Sequence, residues 1–329
     1  MRWDDLPQSD NIEDRRGEEG GGGGFGGGFG MPGGAGGLGI GAVVVLGIIG
    51  WVFGIDPRVL IGGAEILTGG GGGSRYEQPY NDPRAQQQQQ QRPPGGPARH
   101  TGAPSDDIGV FVSRILGSTE AQWKDIFTKA GQRYRPPVLV MYRGQTAAPC
   151  GGVAQSAMGP FYCPSDQKVY LDTSFFREIE TRFRGCEGKA CQFSQAYVIA
   201  HEIGHHVQNQ LGILPKVQGQ QRGLDKVSAN RLQVQVELQA DCFAGVWANH
   251  ENQNQKAQGK PPFIEASDVE AAMKTAAAIG DDTLQRRATG HVVPDSFTHG
   301  SSEQRQRWFQ TGLKEGTVGA CNTFAASGL

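Results

Sequence analysis

Ser194-Gln195-Ala196-Tyr197-Val198-Ile199-Ala200-His201-Glu202-Ile203-Gly204-His205 is the stretch that decides how this 329-residue chain is read. An apolar run feeds directly into an H-E-x-x-H pentad. The run suits a buried helix, with Ser194 as its N-cap. The pattern continues through Val207 and stops near Leu211-Gly212, where Gly212 can serve as the residue just past the helix end. On a helix, His201 and His205 are one turn apart on one face, the spacing that lets two imidazoles share a tetrahedral Zn²⁺. Glu202, beside the first histidine, can then reach the water that such a metal activates and act as general base. His206 points about 100° away from His205 and reads as a packed or solvated histidine. Gly204 costs about 1 kcal/mol inside a helix, which a close helix–helix approach or crowding at a metal would explain.

A catalytic zinc needs a third protein donor. The best downstream candidate is Glu237 in Val236-Glu237-Leu238-Gln239-Ala240-Asp241. Glu237 and Asp241 share a face of a helix read over Leu232–Trp247, whose other positions are largely apolar. Two buried acids one turn apart repel unless a cation lies nearby. Asp241 or His250 stands next as the third donor.

H-E-x-x-H followed by E-x-x-x-D on a second helix resembles the thermolysin-type, or gluzincin, arrangement. The resemblance implies that Glu237 is the third zinc ligand and that Asp241 orients His201 through the ring nitrogen the metal does not use. Val236 departs from the pattern, which usually has Asn before the glutamate. The longer run is Gly159-Pro160-Phe161-Tyr162-Cys163-Pro164, Val169-Tyr170-Leu171-Asp172, Phe175-Phe176, then Glu237 to Cys242, then Asp295-Ser296-Phe297-Thr298-His299-Gly300. It resembles a bacterial family of membrane-anchored neutral zinc metallopeptidases. That resemblance implies a zincin-like α+β fold, a Zn²⁺ cofactor and a peptide or protein substrate. It also implies His299 as the donor that steadies the tetrahedral oxyanion, with Tyr162 or Tyr170 as alternatives. Two other readings stand beside the peptidase: a zinc-containing binding or assembly protein without turnover, and a zinc hydrolase acting on cell-wall peptides. An intact Glu202 favours turnover.

Composition sets the rest. Lys and Arg number 31 and Asp and Glu 33, a net charge of −2 that gives no case for nucleic-acid binding. Glycine supplies 51 residues, mostly before residue 105. Residues 1–35 read as a disordered acidic and Gly-rich tail. No charge falls between Glu19 and Asp56, and 36–55 is apolar enough to span a bilayer. The expectation is a single transmembrane helix there, with the N-terminus inside. Residues 56–105, with Gly69–Gly73 and six glutamines at 86–91, read as a linker. Residues 106–329 read as the zinc domain. All six cysteines (150, 163, 186, 191, 242 and 321) follow residue 149. An even set suggests disulfides in an oxidising compartment; of the fifteen connectivities open to six cysteines, sequence neighbours suggest 150–163, 186–191 and 242–321. These readings place a single-pass protein in the inner membrane with its enzyme domain on the periplasmic side.

Within 106–329, helices are expected around Ile108–Leu116, after a cap at Ser118-Thr119, from a capping box at Ser267-Asp268-Val269-Glu270, and over Ser302–Leu313. Strands are expected over 137–142, 158–162 and 168–172. An edge strand beside the active-site helix would bind peptide by strand addition, a role open to the second or third of these.

Overall fold

The computed structural model describes residues 1–18, 100–150, 152–181, 186 and 191–325. Its class is α+β. Five strands form one sheet, in spatial order β2-β1-β3-β7-β6. They are β1 (Ile12–Asp14), β2 (His100–Thr101), β3 (Val138–Tyr142), β6 (Phe161–Cys163) and β7 (Lys168–Asp172). A two-stranded hairpin pairs β4 (Gln145–Ala148) with β5 (Gly152–Gln155). β3 lies parallel to both β1 and β7, whereas β6 runs antiparallel to β7 and closes one edge.

The sequence of β3, Val-Leu-Val-Met-Tyr, explains its central place. A strand covered on both faces has no polar side to show. Leu139 and Met141 enter the main core, while Val140 and Tyr142 enter a second cluster with Ala148, Ala154 and Tyr170. That division follows the period-2 alternation of a strand.

Eight α-helices occur among the described residues: α1 (Asp107–Lys129), α2 (Phe175–Thr181), α3 (Cys191–Gln210), α4 (Ile213–Gln221), α5 (Lys226–Ala257), α6 (Ala266–Ala278), α7 (Asp281–Thr289) and α8 (Ser302–Glu315). Several ends differ from the sequence reading. Ser118 and Thr119 do not interrupt α1. Both are buried, and their hydroxyls already have partners: Ser118 donates to Glu251 and accepts from Trp247 Nε1, and Thr119 bonds back to the Leu116 carbonyl. A hydroxyl engaged in this way is not available as a cap. α3 starts at Cys191, three residues before Ser194, directly after the Cys186–Cys191 disulfide. α6 is opened by a capping box of Glu265 and Asp268, not of Ser267 and Glu270. α8 has the expected extent, with Ser301 and Gln304 as its box.

The expectation of a disordered tail over 1–35 is corrected for residues 1–18. Leu6 and Ile12 join the main core, and Trp3 packs against it. β1 is inserted between β2 and β3, with Leu139 N–H donating to Asn11 O and Arg15 N–H to Met141 O. Its polar side chains are paired in turn. Glu13 binds Arg15 and Lys168, Arg16 bridges Asp14 and Asp106, and Glu120 accepts from Ser9 and Asn11. An acidic, Arg-rich segment therefore reads as solvated only while its distant partners, 90 or more residues away, are unknown.

The same topology corrects the expected membrane location. Among the described residues no helix is long and apolar enough to cross a membrane. The run 36–55, and the linker up to residue 99, lie outside the described residues. Residues 12–14 and 138–142 are hydrogen-bonded neighbours in one sheet. A single crossing at 36–55 would put those two strands on opposite sides of a bilayer, so a single-pass arrangement does not fit this fold.

All three disulfides form as paired from the sequence: Cys150–Cys163, Cys186–Cys191 and Cys242–Cys321. The last closes 79 residues and ties α5 to the C-terminal segment. In the chain-entropy account a loop of that size stabilises by about 4 kcal/mol.

Candidate metal centre

Helices α3 and α5 pack closely where Gly204 meets Ala240. A Cβ on Gly204 would lie 3.0 Å from the Ala240 carbonyl oxygen and 3.1 Å from its Cα. A side chain there would push the Ala240 backbone back by a few tenths of an ångström, which accounts for a glycine at this unfavourable place mid-helix. The helices run antiparallel at this crossing. One turn from it, His201 and His205 on α3 face Glu237 and Asp241 on α5.

The pentad lies mid-helix, and its two imidazoles are 4.8 Å apart between centroids. His201 Nε2 is 3.2 Å from Glu237 Oε2, and His205 Nε2 is 3.6 Å from the same oxygen. One donor atom from each of His201, His205 and Glu237 lies within 4.8 Å of the others. Both Nδ1 atoms are committed elsewhere, His201 to Asp241 Oδ1 at 2.8 Å and His205 to Gln208 Oε1 at 2.9 Å. Two Nε2 lone pairs and one carboxylate oxygen therefore converge. This N₂O donor set fits zinc and leaves a coordination position open for catalysis.

The electrostatics point the same way. Burial pulls the His201 pKa down, but Asp241, Glu237 and Glu202 outweigh it and hold the ring at about 10. His205 is also raised: burial opposes the shift and Glu237 produces it. Glu237 is driven well below the ordinary carboxylate range: burial resists, and His205 and His201 prevail. Buried carboxylates gathered here draw protons onto the neighbouring imidazoles. A divalent cation would satisfy the same demand.

Asp241 has more partners than His201 alone. Tyr197 donates to its Oδ1 at 2.5 Å, and Arg305 on α8 donates Nε to Oδ2 and Nη2 to Oδ1, each at 2.9 Å. Burial raises the Asp241 pKa, but Arg305 and His201 bring it to about 2. Arg305 is itself 3% exposed. Sequence reading missed both supports. Tyr197 sits one turn before His201 and reads as apolar filling, and Arg305 lies 64 residues beyond Asp241.

Glu202 is buried, and burial raises its pKa; His201, His205 and the Tyr162 backbone, which lies close to the carboxylate, oppose the rise. This approach brings the edge strand β6 against the pentad. The interior strand β7, the other sequence candidate for peptide binding, has a neighbour on each side.

His299 lies in the turn before α8 and is partly exposed, with Nδ1 3.3 Å from Asp281 Oδ1. Burial lowers its pKa, but Asp281 and Glu237 raise it. Asp281 Oδ2 also collects the backbone N–H groups of Thr298, His299 and Gly300 at 2.7, 2.6 and 3.0 Å. One carboxylate thus shapes the loop and fixes the ring. The sequence offered only a weak signal for it, the acidic pair Asp281-Asp282 opening a short helix.

Other sequence candidates are placed elsewhere. Tyr170 donates to Asp166, and Tyr162 accepts from Asn209 while facing His206. The donated bond commits the Tyr170 proton to Asp166 and removes Tyr170 as an oxyanion donor. His206 is a packed residue, bonded to the Arg135 carbonyl and lying edge-on to Tyr134. His250 bonds Gly316 O and takes no part in the cluster.

Residues 1–324 match the family model described as "Putative neutral zinc metallopeptidase". The chain is 43% identical over 327 residues to the uncharacterized protein YpfJ of Escherichia coli, covering 99% of this chain and 100% of that protein. It is 40% identical over 215 residues to an uncharacterized protein of Mycobacterium tuberculosis, covering 64% of this chain and 69% of that one. No solved structure matches.

Proposed function

Because the chain belongs to the neutral zinc metallopeptidase family, we propose that it hydrolyses peptide bonds at the cluster formed by α3 and α5. The observation that carries this reading is the convergence of His201, His205 and Glu237 beside a buried Glu202. These three residues would hold Zn²⁺. When bound, the metal supplies a Lewis acid that acidifies water and polarises the scissile carbonyl.

The chain's own residues perform the remaining tasks. Glu202 accepts the proton of the attacking water at its carboxylate and returns it to the leaving amine. Its raised pKa suits both halves of that exchange. Asp241 holds His201 with Nδ1 protonated and Nε2 free to donate its lone pair. His299, oriented at Nδ1 by Asp281, offers Nε2–H to the oxyanion. β6 supports a peptide in extended form. It is one edge of the sheet, and Tyr162 on it lies near Glu202, so a segment lying along it would pass the general base.

The test is cleavage of a fluorogenic peptide library by the zinc-loaded full chain and by Glu202→Gln. The expected result is a loss of about 10² to 10⁴-fold in kcat/KM with stoichiometric zinc retained. Full cleavage by Glu202→Gln carrying zinc would refute the mechanism.

A further inference from the structure

We propose that Gln208 is the positioning residue for His205, doing through a neutral amide what Asp241 does for His201 through a carboxylate. The proposal rests on the reading of His201, His205 and Glu237 as metal donors, and deepens it.

Gln208 lies on α3 one turn after His205 and is fully buried. An amide side chain can present either oxygen or nitrogen to a neighbour, so its orientation must come from its partners. Here the partners decide it. One end of the amide lies 2.7 Å from the Val236 carbonyl oxygen and 3.0 Å from Gln239 Oε1. A carbonyl can only accept, so that end is the NH₂ group. The other end is then Oε1, 2.9 Å from His205 Nδ1. An oxygen acceptor at that distance requires a proton on Nδ1. The proton on Nδ1 in turn leaves the Nε2 lone pair of the neutral ring facing Glu237, where a metal would sit.

The anchor is itself anchored. Gln239, also buried, uses its own NH₂ group on the Cys321 carbonyl at 2.9 Å. Cys321 is joined covalently to Cys242 on the same helix α5. A directed chain of donors therefore runs His205, Gln208, Gln239, Cys321, each member with its roles fixed. The reach depends on the close crossing at Gly204 and Ala240. Gln208 and Val236 lie one turn further along the antiparallel pair, near enough for a direct bond. The side chain of Val236 is apolar and cannot accept from His205, so α3 supplies the acceptor from its own next turn.

The two histidines are thus oriented by different chemistries. Asp241 carries a full negative charge, balanced by Arg305. Gln208 brings none, and so fixes the tautomer without adding a further carboxylate to a pocket that already holds Glu202 and Glu237.

The experiment titrates zinc into metal-stripped full-length protein against a competing chelator, for wild type, Gln208→Leu and Gln208→Glu. Unfolding of the metal-free forms is followed in parallel. Gln208→Leu keeps the volume and removes the acceptor; zinc affinity is expected to fall by about 10- to 100-fold. Gln208→Glu keeps the oxygen and is expected to bind at least ten times more tightly than the leucine variant, by the same scale. Wild-type affinity in folded Gln208→Leu, or equal losses in the two variants, overturns the proposal. The second outcome would mark a packing role. Should Gln208→Leu not fold, ¹⁵N spectra of zinc-loaded wild type decide: a protonated, exchange-protected Nδ1 on His205 supports the proposal, and a bare Nδ1 overturns it. A wild-type chain that binds no zinc refutes the metal reading itself, a result distinct from any of these.

Discussion

Deleting residues 1–105 removes β1 from the middle of the sheet together with its edge neighbour β2, and the structure allows the cost of losing β1 to be worked out. Leu6 and Ile12 are each 1% exposed in the main core. Truncating a buried Leu or Ile to Ala costs about 2–5 kcal/mol, so losing both costs roughly 4–10. The deletion also strips β3 of the bonds from Leu139 N–H to Asn11 O and from Arg15 N–H to Met141 O. Each buried backbone group left without a partner adds about 1–3 kcal/mol. Lys168 loses Glu13, and Asp106 loses Arg16. Domains of this kind are stable by only about 5–15 kcal/mol. The sum therefore meets or exceeds the whole stability.

A chain beginning at residue 106 is accordingly expected not to fold cooperatively, although every residue of the metal cluster is present in it. The assay is urea unfolding followed by far-UV circular dichroism in chelator, so that zinc does not contribute. Ile12→Ala, the mild form of the perturbation, is expected to cost about 2–5 kcal/mol. At an m-value of about 3 kcal/mol/M this moves the midpoint down by roughly 1 M. A synthetic peptide of residues 1–18 added to the shortened chain is expected to restore a transition. A 106–329 chain that unfolds with the midpoint of the full protein would refute the reasoning, and would show that the contacts of β1 are not used.

Two further perturbations probe the site. Arg305→Met leaves Asp241 buried without its main counter-charge, and is expected to cost about 3–5 kcal/mol near neutral pH, measured in chelator by urea unfolding; a cost unchanged after acidification has protonated Asp241 would argue against a charge-based loss. The zinc-free protein should also lose stability on the alkaline side: the folded pKa of His201 is raised from 6.5 to about 10, so its contribution is complete below 6.5 and is lost as pH rises through about 10. Thermal scans across that window should show a falling melting temperature without zinc and a flatter profile with it.

What the sequence revealed of this site, and what it concealed, follows from the range of the interactions. His201, Glu202 and His205 are set by helical spacing within five residues, and Glu237 with Asp241 by spacing within five more. Local periodicity carries such information directly. Gly204 was legible as an anomaly, a poor helix former in a helix. Its reason, the Ala240 backbone, could be named only in the structure. Arg305, Asp281 and residues 1–18 leave no local mark. An arginine in an amphipathic helix, an acid at a helix start and a polar N-terminal segment are what a solvated surface also looks like. Their distant partners lie 64, 18 and 90 or more residues away.

Gln208 sharpens the point. A glutamine on the last turn of a helix carries no motif, and the contact that gives it meaning is only three residues away in sequence. Distance along the chain did not hide it. What hid it was the freedom of an amide to turn either end toward His205. That freedom is removed by the Val236 carbonyl and by Gln239, and both reach Gln208 only because α3 and α5 cross at a glycine. The pentad therefore states which residues can bind a metal. On the proposed reading the crossing determines which nitrogen of His205 is offered, and in that sense the fold completes a site whose candidate ligands the sequence already names.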